Sequence, residues 1–190
     1  MFLDEFDVIA KLRDDKNELG ELKRVVNSLI QNIDAFSNDS ILIAATNHHE
    51  LLDPAIWRRF TTIVSLEKPQ KGEIERLLTI LLTDKENNFM GNERKLNGVI
   101  DALFGFSHSY IKTVTFNAIR EVILSGRSSL TNCDILKSIF FYKNHAIENE
   151  DDLIEYLLKN GVTHKEINDS LAIPLRRIQG ISKNLDRKEL

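Results

Sequence analysis

The sequence predicts an α/β layer at its amino-terminal end, followed by helices alone. Three observations carry this. Apolar runs at 1–4, 41–46 and 61–66 are short and bounded by turn residues, as strands are. An amphipathic helical pattern stands between the first two. Beyond Pro69 no strand pattern recurs, and apolar residues repeat only at helical spacing.

Residues 1–4 read as a buried strand ended by the acidic pair Asp4-Glu5. Residues 8–16, with Lys11, Arg13, Asp14, Asp15 and Lys16, read as a solvated loop. Leu19, Leu22, Val26, Leu29, Ile33 and Phe36 alternate steps of three and four, one face of a helix. Ser37, Asn38, Asp39 and Ser40 end it as a turn cluster. Ile41 to Ala45 is continuously apolar, the pattern of a strand covered on both faces. Thr61 to Leu66, ending before Pro69, is a third strand candidate.

The helical part begins with Lys71–Leu82, where Ile74, Leu77, Leu78, Leu81 and Leu82 share one side. Leu96–Leu103 is a shorter helix. Ser107 opens a long one through Leu124, ended by Gly126. Asn132 is the expected cap of a last lid helix through Tyr142. The polar stretch Glu148–Asp152 leads into a tail of three helices: 153–159, 162–171 and 175–185. Thr163 and Glu166 have capping-box spacing, and Pro174 suits a helix start. The expected domains are therefore 1–68, 69–145 and 148–190. The tail is expected to fold apart from the lid, around Leu157, Ile167, Leu171 and Ile178.

Composition narrows the class. Hydrophobic residues make up 42% and charged residues 28%, the balance of a globular protein. Net charge is -4, so the whole chain offers no electrostatic case for nucleic acid. Cys133 is the sole cysteine and cannot form an internal disulfide, which fits a cytoplasmic protein. No apolar run approaches the roughly 20 residues of a membrane span, and no secretory leader pattern is visible.

The chemistry-bearing residues come in a fixed order. Asp4-Glu5 ends a strand, and Asn47 ends the next in Ile41-Leu-Ile-Ala-Ala-Thr-Asn47. Leu52-Asp-Pro-Ala-Ile-Trp-Arg-Arg-Phe60 follows, and Gly105-Phe-Ser107 opens a lid helix. Each piece alone is weak. A lone Asp-Glu is commonly a surface turn, Asn47 a turn residue, and Arg58-Arg59 surface charge. His48 and His49 lack the convergent neighbours of a metal site and read as loop histidines. The ordered set is specific, and over about residues 1–142 it resembles the AAA family of ATPases, the group of spastin, katanin and the membrane AAA proteases.

The resemblance implies a partial P-loop NTPase core, a helical lid, and ATP and Mg²⁺ as cofactors. Asp4 corresponds to the Walker B carboxylate that steadies Mg²⁺ through water, and Glu5 to the catalytic base. Asn47 matches sensor 1; its amide can donate to the γ-phosphate and accept from the attacking water. Arg58 and Arg59 match paired arginine fingers acting on a neighbouring subunit's nucleotide, which implies a homo-oligomeric ring. Gly105, Ser107 and His108 match the start of the helix near the adenine. The Lys11–Lys16 loop resembles the second pore loop of such rings.

Two departures stand out. After Ser107 the family carries Gly-Ala-Asp; here His108-Ser109-Tyr110 adds bulk near the base and removes a capping carboxylate. No Gly-x-x-x-x-Gly-Lys-[Ser/Thr] occurs in the 190 residues, so the chain is expected to start after its phosphate-binding loop and to be a poor ATPase alone. The expected function is ATP-driven remodelling of a protein substrate in a ring. One alternative is a DNA-associated ATPase directed by a helix-turn-helix-like tail carrying Arg176, Arg177 and Lys183. Another is a non-catalytic remnant that packs into rings of a relative. The tail is read first as a protein-docking appendage, because its basic excess is modest.

Overall fold

The computed structural model describes residues 1–10, 19–36, 40–144 and 149–188. The expected pore-loop likeness at Lys11–Lys16 and most of the turn at 37–40 lie outside them. The chain divides into two compact units, Met1–Ser65 and Leu66–Leu190.

In the first unit, β1 (Phe2–Leu3) and β2 (Ile43–Ala44) form a parallel pair, with Phe2 opposite Ile43 and Leu3 opposite Ala44. The ladder runs through Ile43 N to the Met1 carbonyl (2.9 Å) and Ala45 N to the Leu3 carbonyl (2.8 Å). Between the strands come α1 (Phe6–Ala10) and α2 (Leu19–Asp34). Val26, Leu29, Ile30 and Ile33 of α2 share a face and pack on a small core of Phe6, Leu52 and Ile56. Phe60 closes it, edge-on to Phe6 at 5.8 Å between ring centres. A short α3 (Pro54–Trp57) starts where the Asp53 carboxylate accepts from Ala55 N at 2.7 Å.

The strand expected over 61–66 does not form: among the described residues it pairs with no neighbour in a ladder. A strand exists only through its partner's backbone groups, and among the described residues β1 and β2 pair only with each other. Ile63 and Val64 stay exposed, as do Phe2, Ile41 and Ile43 of the pair. The other two strands are shorter than their apolar runs for the same reason.

The second unit is helical: α4 (Lys71–Leu81), α5 (Glu93–Leu103), α6 (His108–Leu124), α7 (Asn132–Asn144), α8 (Glu150–Lys159), α9 (His164–Leu171) and α10 (Leu175–Lys188). Caps set the starts. Gln70 and Glu73 form a reciprocal box, Asn92 accepts from Lys95 N, and Thr163 pairs with Glu166 as its spacing predicts. Gly126, at φ +73°, ends α6. The cap of α7 is Thr131 rather than Asn132: its hydroxyl accepts from Asp134 N while Asp134 accepts from Thr131 N at 2.9 Å. The buried Asp134 carboxylate also takes Arg127 at 2.7 Å.

The lid and tail do not fold apart. Leu153, Ile154, Leu157, Ile167, Ile173 and Ile178 of the tail lie in one hydrophobic cluster with Ile74, Leu103, Ile111 and Ile135 of the lid. The cause is α7, whose Ile135, Leu136 and Ile139 are fully buried and which packs on α5, α6, α8 and α9 at once. Lys95 of α5 pairs with Glu166 of α9. Gly98 of α5 lets the Asn160 carbonyl come close; a Cβ there would stand 2.4 Å from that oxygen.

Candidate functional site

The carboxylates and the asparagine leave one edge of the sheet. β1 ends at Leu3 and β2 at Ala44, in register and parallel, so Asp4, Glu5 and Asn47 follow their strands at the same carboxyl edge. Phe6 N bonds the Ala45 carbonyl at 2.9 Å and holds the two exits side by side. Open α/β sheets bind ligands beyond this edge. All three residues are exposed.

Glu5 has a left-handed backbone, φ +50°, which a side chain with a Cβ rarely adopts. Its N–H donates to the Asp4 carboxylate at 2.9 Å, so the turn leaves both acid groups at the surface. On the β2 side, the Thr46 hydroxyl donates to Asp7 at 2.6 Å and accepts from His48 N at 3.0 Å. That bond ties the loop bearing Asn47 to the start of α1. Neither Thr46 nor Asp7 stands out in the sequence.

The two arginines are not equivalent. Arg59 is clamped: its Nε and Nη2 each lie 3.1 Å from the Asp34 carboxylate at the end of α2, and its Nη1 donates to the Ala55 carbonyl at 2.8 Å. The fork-to-carboxylate bonds push its pKa above the usual arginine value. Arg58, the C-cap of α3, is exposed and makes no side-chain bond among the described residues. Sequence spacing treats them as a pair; Asp34, with no motif around it, separates them.

His48 and His49 flank Glu50 at 3.3 and 3.5 Å. Its own backbone N–H, then His48, holds the Glu50 carboxyl below its usual range. No group of three metal-ligating side chains capable of caging an ion occurs among the described residues. The exposed Asp4 carboxylate still fits Mg²⁺, which keeps several waters and needs only one or two carboxylates beside substrate phosphates.

Gly105, Ser107 and His108 belong to the second unit. Gly105 turns the chain at φ +86°, and the Ser107 hydroxyl accepts from Tyr110 N at 3.2 Å as the cap of α6. His108 is exposed in the first turn. Tyr110 cannot cap reciprocally, but its ring stacks on Phe106 at 4.0 Å and meets Tyr142 edge-on at 4.5 Å. Lys143 sits 4.6 Å above Phe106 and also reaches the ring of Tyr156 from α8. Burial pushes the Tyr156 phenol up to about 12 and lowers the Lys143 ammonium. An aromatic cluster thus fixes the helix start where the resemblance leads one to expect an acid. The unusual Tyr110 was its only sequence signal.

The order of these elements is matched by known proteins. The family model for the ATPase family associated with various cellular activities (AAA) covers residues 1–68. Residues 1–68 thus carry an AAA-family segment. It is 37% identical over 139 residues to an uncharacterized AAA family ATPase of Sinorhizobium fredii, across 73% of this chain and 41% of that protein. A chloroplastic ATP-dependent zinc metalloprotease of Arabidopsis thaliana is 32% identical across 70% of this chain and 17% of its own length. Proteasome-activating nucleotidase 2 of Haloferax volcanii is 30% identical across 70% of this chain and 33% of its own. The chain thus spans well under half the length of these AAA relatives. No helix among the described residues is long and apolar enough to cross a membrane.

Proposed function

We propose that this chain forms the carboxylate, sensor and finger side of an AAA ATPase site, in a ring whose hydrolysis of ATP remodels a protein substrate. The observation that carries this is the parallel β1–β2 pair, which brings Asp4, Glu5 and Asn47 to one carboxyl edge. Asp4 would hold Mg²⁺ through its water shell, and the ion would supply charge neutralisation for the β- and γ-phosphates. Glu5 takes the proton of the attacking water, and the Asn47 amide orients that water against the γ-phosphate. Arg58 has no competing carboxylate among the described residues and serves as the finger toward a neighbouring subunit. Arg59, held by Asp34, keeps the end of α3 in place. The names of the protease and proteasome-activating relatives support a protein substrate.

The 190 residues contain no phosphate-binding Gly-x-x-x-x-Gly-Lys-[Ser/Thr] loop, so the backbone N–H cradle that dominates phosphate affinity is not in this chain. Calorimetry of the chain with Mg²⁺-ATP should find little or no binding; micromolar binding would overturn this. Fusing a phosphate-loop segment ahead of Met1 tests the roles. In that fusion Glu5→Gln should lower turnover by about 10²–10⁴ with nucleotide still bound. Turnover left intact would remove Glu5 from the mechanism. Arg58→Ala subunits mixed with Glu5→Gln subunits should regain part of the activity. Dead mixtures with verified ring assembly would refute action in trans.

A further inference from the structure

The last three helices contain a unit that the ATPase reading does not use. α9 ends at Leu171 and α10 begins at Leu175, so three residues turn the chain. Ala172 makes the pivot in a left-handed conformation, φ +55°, its N–H bonded to the Asn168 carbonyl at 2.9 Å. Asn168 Nδ2 donates to the Ile173 carbonyl at 2.7 Å and locks the turn. Ile173, in the turn itself, is buried with Ile167 of α9 and Ile178 and Ile181 of α10. Two helices held across a short turn anchored by the buried Ile173, with α8 packed on both, form a helix-turn-helix.

The outer face of α10 decides what it meets. Arg176, Gln179, Gly180 and Lys183 follow at helical spacing, and all are exposed. They stand opposite Ile178, Ile181 and Leu185, which are buried. Leu175, at the first turn, is the one exposed aliphatic side chain beside this stripe among the described residues, and the stripe itself is polar. A helix that docks on protein needs aromatic or aliphatic anchors. A guanidinium, an amide and an ammonium beside a glycine suit a duplex instead: Arg and Gln reach base edges in the major groove, and Lys neutralises phosphate. No atom lies within 4 Å of a Cβ built at Gly180, so the helix backbone there is open to approach.

Arg177 is turned away from this face. Its Nε and Nη2 hold Asp151 at 3.1 and 2.6 Å, and Glu150 joins them. The sequence sets Arg177 with Arg176 on the helix that would face nucleic acid, but these bonds take it off the exposed face. It also offsets two carboxylates that would repel phosphate. We propose that residues 149–188 bind double-stranded DNA with α10 in the major groove, Arg176 and Gln179 toward base edges and Lys183 toward the backbone. The proposal uses only α8–α10 and is independent of the ATPase reading.

The test is fluorescence anisotropy of the whole chain with a labelled mixed-sequence duplex, at about 50 and 200 mM salt. The double variant Arg176→Ala, Lys183→Ala should bind more weakly. If each cation neutralises one phosphate, the salt slope should flatten by about 1.8, or about tenfold in affinity over that salt range. Lys112→Ala with Arg120→Ala, removing two exposed cations from α6, should leave binding unchanged. Circular dichroism checks that every variant is folded. Three results would each overturn the proposal: no duplex binding at the lower salt, equal losses in both double variants, or single-stranded DNA bound as tightly as duplex. The first would return α10 to a protein-docking role.

Discussion

Replacing Gly98 by alanine should destabilise the second unit, although alanine is the better helix former. In the interior of α5 the exchange gains about 0.5–1 kcal/mol from backbone entropy. Against this, the new Cβ would stand 2.4 Å from the Asn160 carbonyl oxygen and 3.4 Å from its carbon. The obstacle is backbone, so no side chain can swing clear. Asn160 caps α8, with its N–H and its Nδ2 both bonded to the Tyr156 carbonyl, at 3.2 and 2.8 Å. Relief therefore means moving α8 away from α5. Overpacking costs about 1–3 kcal/mol, toward the upper end where backbone must move, so the net loss is about 1–2 kcal/mol.

At about 2–4 °C per kcal/mol for a chain of this size, calorimetry should record a fall in Tm of about 2–8 °C. Gly180→Ala is the opposite control. That glycine is also helical, but nothing lies within 4 Å of a Cβ there, so the same exchange should raise Tm. If Gly98→Ala raised Tm as Gly180→Ala does, α8 would not bear on α5 and the shared core of lid and tail would be refuted.

Two further outcomes test particular contacts. Arg59→Ala should loosen the first unit, read by the fluorescence of Trp57, the chain's one tryptophan, while Arg58→Ala should not; equal effects would erase the division between clamp and finger. Burial raises the Glu166 carboxyl, but its bonds to Lys95 and Thr163 outweigh this and hold it below the ordinary value of 4.5. A depressed acid stabilises the fold above its unfolded pKa, and that stability is lost as pH falls through the folded one. Glu166→Gln keeps an oxygen for the capping box and loses only the charge. It should cost about 0.5–1 kcal/mol at pH 7 and nothing well below pH 4.5; a gap that persists in acid would assign the effect to the cap.

Legibility in the sequence followed the range of the forces involved. Helices came through because their periodicity and caps are local: α6 starts from Ser107 and α9 from Thr163 as their spacing predicts. Asn132 misled because it shares its chemistry with Thr131, and only the placement of Asp134 three residues on from Thr131 decides between them. The strand expected at 61–66 failed because an apolar run does not specify its partner. The fusion of lid and tail was hidden for a like reason. Leu157, Ile167 and Ile178 are buried as expected, but nothing in their spacing tells that α7 covers them too. At the candidate site, the sequence singled out Asp4, Glu5 and Asn47, which the fold brings to one edge, but not the partner that holds Arg59. Arg58 and Arg59 are neighbours in sequence, and Asp34, which separates their roles, lies 25 residues from Arg59.

Glu5 and Ala172 are the non-glycine residues with positive φ among those described. One bears the proposed base, and the other is the pivot of the proposed helix-turn-helix. Strain persists where surrounding structure over-determines it, and at Glu5 the restraint is visible: Phe6 N is already bonded to Ala45, so the turn from strand to α1 must close within two residues. Glycine would suit that turn but carries no carboxylate. Glu5→Gly should therefore stabilise the first unit by about 0.5–1 kcal/mol: roughly 1–2 gained from left-handed relief, less what glycine loses in entropy. Glu5→Ala removes the same carboxylate and keeps the strain, so it should gain nothing. Denaturant unfolding followed through Trp57 separates the two variants. If alanine stabilised as much as glycine, the left-handed turn would hold no strain, and the geometry that presents Glu5 would need another cause.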